Sequence, residues 1–87
     1  MKQVLLFTTP PCQPCKLMKP ILEEIARKRT DIQYREVNCW EEKDLVLQHK
    51  VRMSPTLIVI QDGVTICDVK GLLYEDDILA VIDSEVE

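Results

Sequence analysis

Apolar residues along the chain fall into four short runs and three stretches of helical spacing, and this pattern predicts seven elements. The short runs, rich in apolar and β-branched residues, predict strands at Gln3–Thr8, Ile32–Val37, Thr56–Ile60 and Val64–Val69. The helical spacing predicts helices at Gln13–Lys28, Glu41–Lys50 and Tyr74–Ser84. The order βαβαββα predicts an α/β domain built from a crossover unit, a hairpin and a closing helix.

Turn-forming residues support these boundaries. Asp62 and Gly63 lie between the last two strand patterns and predict a tight hairpin. Pro20 falls inside the first helical pattern, where it removes a backbone hydrogen bond, and we therefore expect a kink there.

The length predicts that residues 1–87 form a single domain. We expect this domain to be a monomer. The chain is 46% hydrophobic and 30% charged, which is ordinary for a globular protein. Its net charge of −4 argues against a general binder of nucleic acid or anionic membranes. Its apolar runs are too short to cross a membrane.

The cysteine content and the N-terminal pattern predict a cytoplasmic protein. The N-terminus enters a strand pattern directly and shows no signal-peptide pattern. The chain has four cysteines, and without a secretory signal these indicate a reducing compartment.

Cys12 and Cys15 form a C-x-x-C motif between the first strand pattern and the first helical pattern. Residues three apart lie on one face of a helix, so a tightened first turn brings the two sulfurs within bonding range. Free N–H groups and the positive end of the helix dipole favour a thiolate at this position. The motif therefore indicates thiol–disulfide redox chemistry.

A zinc half-site is the alternative interpretation of the motif, with Cys39, Cys67 or His49 as the completing ligands. Those three residues do not form a second ligand pair of the usual spacing, so we expect no metal. Cys39 and Cys67 are interpreted instead as small buried hydrophobic residues, and His49 as a surface residue near a helix end.

The chain resembles a thioredoxin in a short form that lacks the first strand and helix of that family. Besides the cysteines, the resemblance rests on family-like spacing at Lys16, Pro20, Pro55-Thr56, Gly63 and Gly71. It implies a four-stranded mixed sheet flanked by three helices. It also implies a redox-active Cys12–Cys15 disulfide as the only redox group, with no other cofactor, and a cis bond before Pro55.

The redox interpretation gives each residue near the motif an expected role. Cys12, at the helix start, is the expected attacking thiol, and Cys15, one turn further on, is the expected resolving thiol. The active-site loop is completed by Pro11, Gln13, Pro14 and Lys16. The expected substrate-binding residues are Ser54, Pro55, Thr56 and Trp40, the last as a cap over the disulfide or a platform for substrate.

The chain departs from the family pattern where the family carries a buried aspartate, because Leu6 occupies that position. Glu36 stands on the neighbouring strand, where the family has a lysine, and is expected to face the same space. A partly desolvated carboxylate there could accept a proton from Cys15 near neutral pH. The alternative is a surface residue paired with Arg35 or Lys28.

These features predict a protein-disulfide reductase whose substrates are disulfide-containing proteins. A flavin-dependent thioredoxin reductase is the expected electron donor, and glutathione is the alternative donor. Two other functions remain open: a glutaredoxin-like reductase that depends on glutathione, and a binding module that uses the fold without turnover. The intact C-x-x-C motif argues against the binding module.

Overall fold

The computed structural model describes residues 1–85 and contains the seven elements in the predicted order. The strands are β1 (Lys2–Thr8), β2 (Ile32–Asn38), β3 (Thr56–Gln61) and β4 (Val64–Lys70). The helices are α1 (Gln13–Lys28), α2 (Lys43–Gln48) and α3 (Glu75–Ile82). That residues 1–87 form one domain stays a prediction, and its last two residues lie outside the described part.

The four strands form one mixed sheet in the order β2-β1-β3-β4. β1 is parallel to β2 and antiparallel to β3, and β3 is antiparallel to β4. The α/β class and the four-stranded mixed sheet with three helices are thereby confirmed. β1 lies in the interior of the sheet and is covered on both faces, which explains why its sequence is a continuous apolar run.

Two hydrophobic clusters cover the two faces of the sheet. The cluster on the side of α1 and α3 is formed by buried residues of both helices and the strands: Val4, Leu6, Met18, Leu22, Ile25, Ile32, Leu57, Val59, Ile78 and Ile82. The cluster on the side of α2 comprises Leu5, Phe7, Val37, Val51, Ile58 and Ile60. Successive side chains of β1 alternate between the two clusters, so β1 contributes to the core on both faces of the sheet.

The buried face of α1 explains why this segment is helical. Cys15, Met18, Leu22 and Ile25 are buried at helical spacing. Arg27 and Lys28 lie in the last turn, where positive charge complements the helix dipole. Pro20 lies within the helix as expected, on its exposed side, and the helix continues to Lys28.

The predicted hairpin between β3 and β4 is present. Asp62 and Gly63 both have positive φ, at 52° and 82°. Positive φ at both central positions is the requirement of a type I′ hairpin turn, and asparagine, aspartate and glycine tolerate it best.

The prediction of a second helix over Glu41–Lys50 is too long at both ends. In the structure, α2 spans six residues, with Glu42 as its N-cap and His49 as its C-cap. The backbone of Lys50 has a positive φ of 55°, which ends the helix. Predicted boundaries of the other elements agree with the structure to within two residues.

No helix within residues 1–85 has the length and apolar character needed to cross a membrane.

Lys2 caps the C-terminus of α3 from the first position of β1. Its Nζ donates to the carbonyl oxygens of Ile82 at 2.7 Å and Ser84 at 2.8 Å. A Lys2→Met variant loses both hydrogen bonds and the favourable charge at the helix end. We therefore expect it to lower the free energy of unfolding by about 1 kcal/mol, measured by urea denaturation.

Lys70→Met provides a matched control, because Lys70 only pairs with Asp68 on the surface, at 3.3 Å. An exposed pair of this kind contributes little, so this variant should unfold at nearly the wild-type urea concentration. Equal urea midpoints for Lys2→Met and Lys70→Met would contradict the capping role of Lys2.

Candidate active site

The C-x-x-C motif occupies the first turn of α1. Cys12 is the N-cap of the helix, Cys15 lies three residues further on, and Pro14 occupies the first turn. The two cysteines form a disulfide with a Cα–Cα distance of 5.3 Å. The disulfide implied by the resemblance is therefore present at the helix terminus, as the sequence predicts.

The two sulfur atoms differ in their environments. Cys15 is only 3% exposed, whereas Cys12 is half-buried and flanked by the exposed Pro11 and Gln13. The Sγ of Cys12 accepts a hydrogen bond from the backbone N–H of Cys15 at 3.2 Å. A sulfur at this position faces the N–H groups and the positive end of the α1 dipole, which favour a thiolate in the reduced form.

A proline turn lies against the loop before the cysteines. The Ser54–Pro55 peptide bond is cis, which confirms the expectation from the resemblance. The Ser54 hydroxyl is hydrogen-bonded to the hydroxyl of Thr9 at 2.9 Å. Since the carbonyl of Thr9 accepts from the backbone N–H of Cys12 at 3.1 Å, the turn and the cysteine loop are joined through one residue.

Pro55 and Thr56 are both buried, so their contribution to the site differs from that of Ser54. The hydroxyl of Thr56 donates to the carbonyl oxygen of Met53 at 2.7 Å. The carbonyl oxygen of Pro55 accepts from the backbone N–H of Gly71 at 2.9 Å. These bonds fix the shape of the turn and leave Ser54 as its half-buried member beside the cysteine loop.

A pocket of about 270 Å³ opens beside the disulfide. Its lining comes from the ends of β1 and β2 and the first turns of α1: Thr8, Thr9, Pro10, Cys12, Cys15, Lys16, Lys19, Glu36 and Asn38. Glu36 stands opposite Leu6 in the register of β1 and β2. Glu36 therefore lies on the strand next to Leu6 and lines the same pocket as Cys12 and Cys15, and its role as a proton acceptor stays a prediction.

Both carboxylate oxygens of Glu36 have a partner in this pocket. The Thr8 hydroxyl donates to Oε2 at 3.1 Å, and the Lys19 ammonium lies 3.2 Å from Oε1. The alternative that Glu36 pairs with Arg35 or Lys28 on the surface is wrong. Arg35 pairs with Glu42, and Lys28, in the last turn of α1, pairs with Glu24.

Trp40 lies just past β2 and is 59% exposed. Its backbone N–H donates to the side-chain oxygen of Asn38 at 2.9 Å, which forms the turn after the strand. The indole is not among the side chains that line the pocket beside the disulfide. Both roles considered for Trp40, a cap over the disulfide and a platform for substrate, stay predictions.

Cys39 and Cys67 are half-buried rather than fully buried as expected, because each sits at the edge of a cluster. Cys39 packs against the cluster on the α2 side and Cys67 against the opposite one. Burial raises the pKa of the Cys39 thiol, which makes it less reactive. His49 packs edge-on against Phe7, with ring centroids 5.8 Å apart.

The alternative of a zinc site completed by these residues finds no support in the described part of the chain. Among residues 1–85, no group of three or more His, Cys, Asp or Glu side chains is arranged to hold a metal ion. Cys39 and Cys67 lie on opposite faces of the sheet, so they do not meet at one site.

Sequence reasoning did not assign Thr8 or Lys19 to the site. Lys19 follows Cys15 by four residues on a helix, a spacing that places both on one face. That spacing was a usable signal for Lys19. The contact between Thr8 and Glu36 depends on the pairing of β1 with β2, for which the sequence carried no local signal.

Comparison with known proteins places this fold and site in a family. The thioredoxin family model matches residues 1–84. The chloroplastic F-type thioredoxin of Pisum sativum is 30% identical over 74 residues, which are 84% of this chain, and the chain spans only 40% of that protein. Thioredoxin 1 of Synechococcus elongatus is 28% identical over 81 residues, covering 92% of this chain and 76% of that protein.

A solved structure agrees with this assignment. A mutant thioredoxin from Halobacterium salinarum superimposes with a TM-score of 0.87 at 28% identity, covering 99% of this chain and 77% of that one. The family match extends over the whole sheet, its helices and the Cys12–Cys15 disulfide. This chain therefore belongs to the thioredoxin family.

Proposed function

We propose that this chain is a thiol–disulfide oxidoreductase that reduces disulfide bonds in protein substrates. The observation that carries the proposal is the Cys12–Cys15 disulfide at the N-terminus of α1, next to the cis-proline turn. A disulfide with one buried and one accessible sulfur is suited to exchange with an incoming disulfide.

In the first step, the Cys12 thiolate of the reduced form attacks one sulfur of the substrate disulfide. A bond forms between the Cys12 Sγ and that sulfur, the substrate S–S bond breaks, and the other substrate sulfur leaves as a thiolate. Cys12 is assigned this role because it is the more accessible cysteine and its Sγ accepts the N–H of Cys15. Both features favour a reactive thiolate.

In the second step, Cys15 resolves the mixed disulfide. Its thiolate attacks the Cys12 Sγ, the Cys12–Cys15 bond forms, and the second substrate sulfur leaves as a thiolate. Two electrons thereby pass from the dithiol to the substrate. Cys15 must lose its proton first, and we assign the Glu36 carboxylate in the same pocket as the acceptor.

Substrate binding is assigned to the surface around the cysteine loop. The loop residues Pro11, Gln13, Pro14 and Lys16 surround Cys12, and the Ser54–Pro55 turn offers backbone groups to an extended substrate segment. The exposed side chains of Trp40, just past β2, and Met53, next to Ser54, offer apolar contact area for a substrate. Thr56 holds the turn in place through its bond to Met53.

The activity is tested by reduction of insulin disulfides with dithiothreitol as the electron source. We expect catalytic amounts of the protein to accelerate the reduction well above the rate with dithiothreitol alone. A rate equal to that of dithiothreitol alone would contradict the proposal and favour a binding module that uses the fold without turnover.

We further propose that a flavin-dependent thioredoxin reductase returns the disulfide to the dithiol. This donor is supported by membership of the thioredoxin family. Two NADPH-coupled assays decide between donors, one with a thioredoxin reductase and the other with glutathione and glutathione reductase. NADPH consumption in the glutathione assay alone would overturn this choice of donor.

A Glu36→Gln variant is expected to slow resolution by Cys15 by about 100-fold while leaving the attack by Cys12 intact, because the amide cannot accept the proton. The rate is measured in a single turnover by acid quenching and mass analysis of the mixed disulfide. Glu41→Gln is the control, since Glu41 is exposed and does not line the pocket. Resolution at the wild-type rate in Glu36→Gln would show that another group carries the proton.

A further inference from the structure

We propose that Thr8 and Lys19 are positioning residues that hold the Glu36 carboxylate beside the disulfide, where it accepts the Cys15 proton. The inference rests on the proposed role of Glu36 and assigns two further residues to that function.

The geometry is that of a two-donor clamp. Thr8, at the end of β1, donates its hydroxyl to Oε2 of Glu36 at 3.1 Å. Lys19, in the second turn of α1, places its ammonium 3.2 Å from Oε1. A free glutamate side chain has several rotamers and tends to extend into water. With a donor on each oxygen, the carboxylate is held at the pocket that Cys12 and Cys15 also line.

The sequence positions of the donors explain why they converge. Lys19 lies four residues after Cys15, so the two side chains share one face of α1. Leu6 stands opposite Glu36 in the sheet register, and Thr8 lies two residues further along β1 on the same face. The helix face and the sheet face meet at the pocket, which places the carboxylate between them.

Lys19 is the cation that reaches the carboxylate within the described residues. Lys16 lines the same pocket from α1 and is exposed, without an ion pair to Glu36. On β2 itself, burial raises the pKa of Tyr34, and the carboxylates of Glu36 and Glu23 raise it further, so the phenol stays neutral near pH 7.

The remaining groups that line the pocket with Glu36 are either uncharged or gain and lose protons during the reaction. Asn38 and Thr9 line the pocket without a charge, and Cys12 and Cys15 change protonation during turnover. The electrostatic influence of Lys19 is therefore not duplicated by another cation in contact with Glu36 in the described part of the chain.

The sign of the Lys19 effect follows from its charge. An adjacent cation stabilises the ionised carboxylate, which is the form that accepts the Cys15 proton. Without Lys19, Oε1 of Glu36 loses its charged partner, so the carboxylate should extend into water more often and resolution should slow. The side chains of Lys19 and Glu36 are 45% and 34% exposed, so salt should screen their interaction.

The test measures the rate of mixed-disulfide resolution in Lys19→Met at a fixed pH. We expect resolution to slow about threefold, a small effect because the pair is partly exposed, and we expect Lys19→Arg, which keeps the cation, to recover most of the rate. At 1 M salt, where the Debye length is about 3 Å, the wild-type rate should fall toward that of Lys19→Met. The control is Lys28→Met, which removes a lysine of the same helix from a comparable pair with Glu24, at 3.3 Å.

The hydroxyl of Thr8 is tested separately. Thr8→Val keeps the buried shape but removes the donor, and we expect resolution to slow about fivefold, the loss of roughly one hydrogen bond. Thr8→Ser restores the hydroxyl and should recover most of the rate. Equal rates in the valine and serine variants would overturn the role of this hydroxyl.

The Glu36→Gln background separates this inference from the proposed role of Glu36. In that background, Lys19→Met and Thr8→Val should cause no further change in the rate of resolution, because the group they act through is gone. If Glu36→Gln itself resolves at the wild-type rate, the assignment of Glu36 fails. If Glu36→Gln is slow but Lys19→Met and Thr8→Val match the wild type, only the clamp is overturned.

Discussion

A Cys12→Ser variant is expected to lose disulfide reduction completely. The serine hydroxyl cannot form the mixed disulfide, and Cys15, at 3% exposure, is too buried to attack a protein substrate in its place. The dithiothreitol-driven insulin assay should show the rate of dithiothreitol alone.

Cys39→Ser serves as the control for this variant. Cys39 packs against the hydrophobic cluster on the α2 side and does not line the pocket at the disulfide. Its replacement should therefore leave reduction near the wild-type rate. Activity retained by Cys12→Ser and lost by Cys39→Ser would contradict the assignment of the nucleophile.

A Cys15→Ser variant is expected to trap substrate as a stable mixed disulfide with Cys12. The attack by Cys12 proceeds, but the serine cannot displace the bound substrate sulfur, so the intermediate accumulates toward one substrate per protein. Mass analysis under non-reducing conditions identifies the adduct, and peptide mapping locates it at Cys12.

The opposite pattern would reverse the roles of the two cysteines. Cys12→Ser is the matched variant, and it should trap no substrate, because the remaining Cys15 is buried within the first turn of α1. An adduct at Cys15 in that variant, without one in Cys15→Ser, would make Cys15 the attacking thiol.

The sequence predicted the elements well wherever the hydrophobic pattern matched burial. β1 is apolar throughout because both of its faces are covered, and α1 shows a clear buried stripe. The second helix was predicted too long because a polar segment carries little periodic signal. Its end is set by the left-handed backbone at Lys50, and lysine has no special preference for that conformation.

The part of the site that depends on contacts between residues close in sequence was predictable, and the part that depends on contacts between distant residues was not. The cysteine pair lies within one helical turn, so its geometry follows from spacing alone. The cis bond before Pro55 came from the resemblance, since X-Pro bonds are cis in only about 5–6% of cases. The clamp on Glu36 depends on strand register and on the way α1 crosses the sheet, and spacing indicates only that Lys19 shares a helix face with Cys15.

Exchange at the Cys12–Cys15 pair is tested most directly by mixing the fully reduced protein with an equimolar disulfide peptide and mapping every cysteine by mass. The account predicts one Cys12–Cys15 disulfide formed for each peptide disulfide lost, with Cys39 and Cys67 remaining thiols. A peptide that stays oxidised while the protein stays reduced, or oxidation at Cys39 or Cys67 instead of the pair, would contradict it.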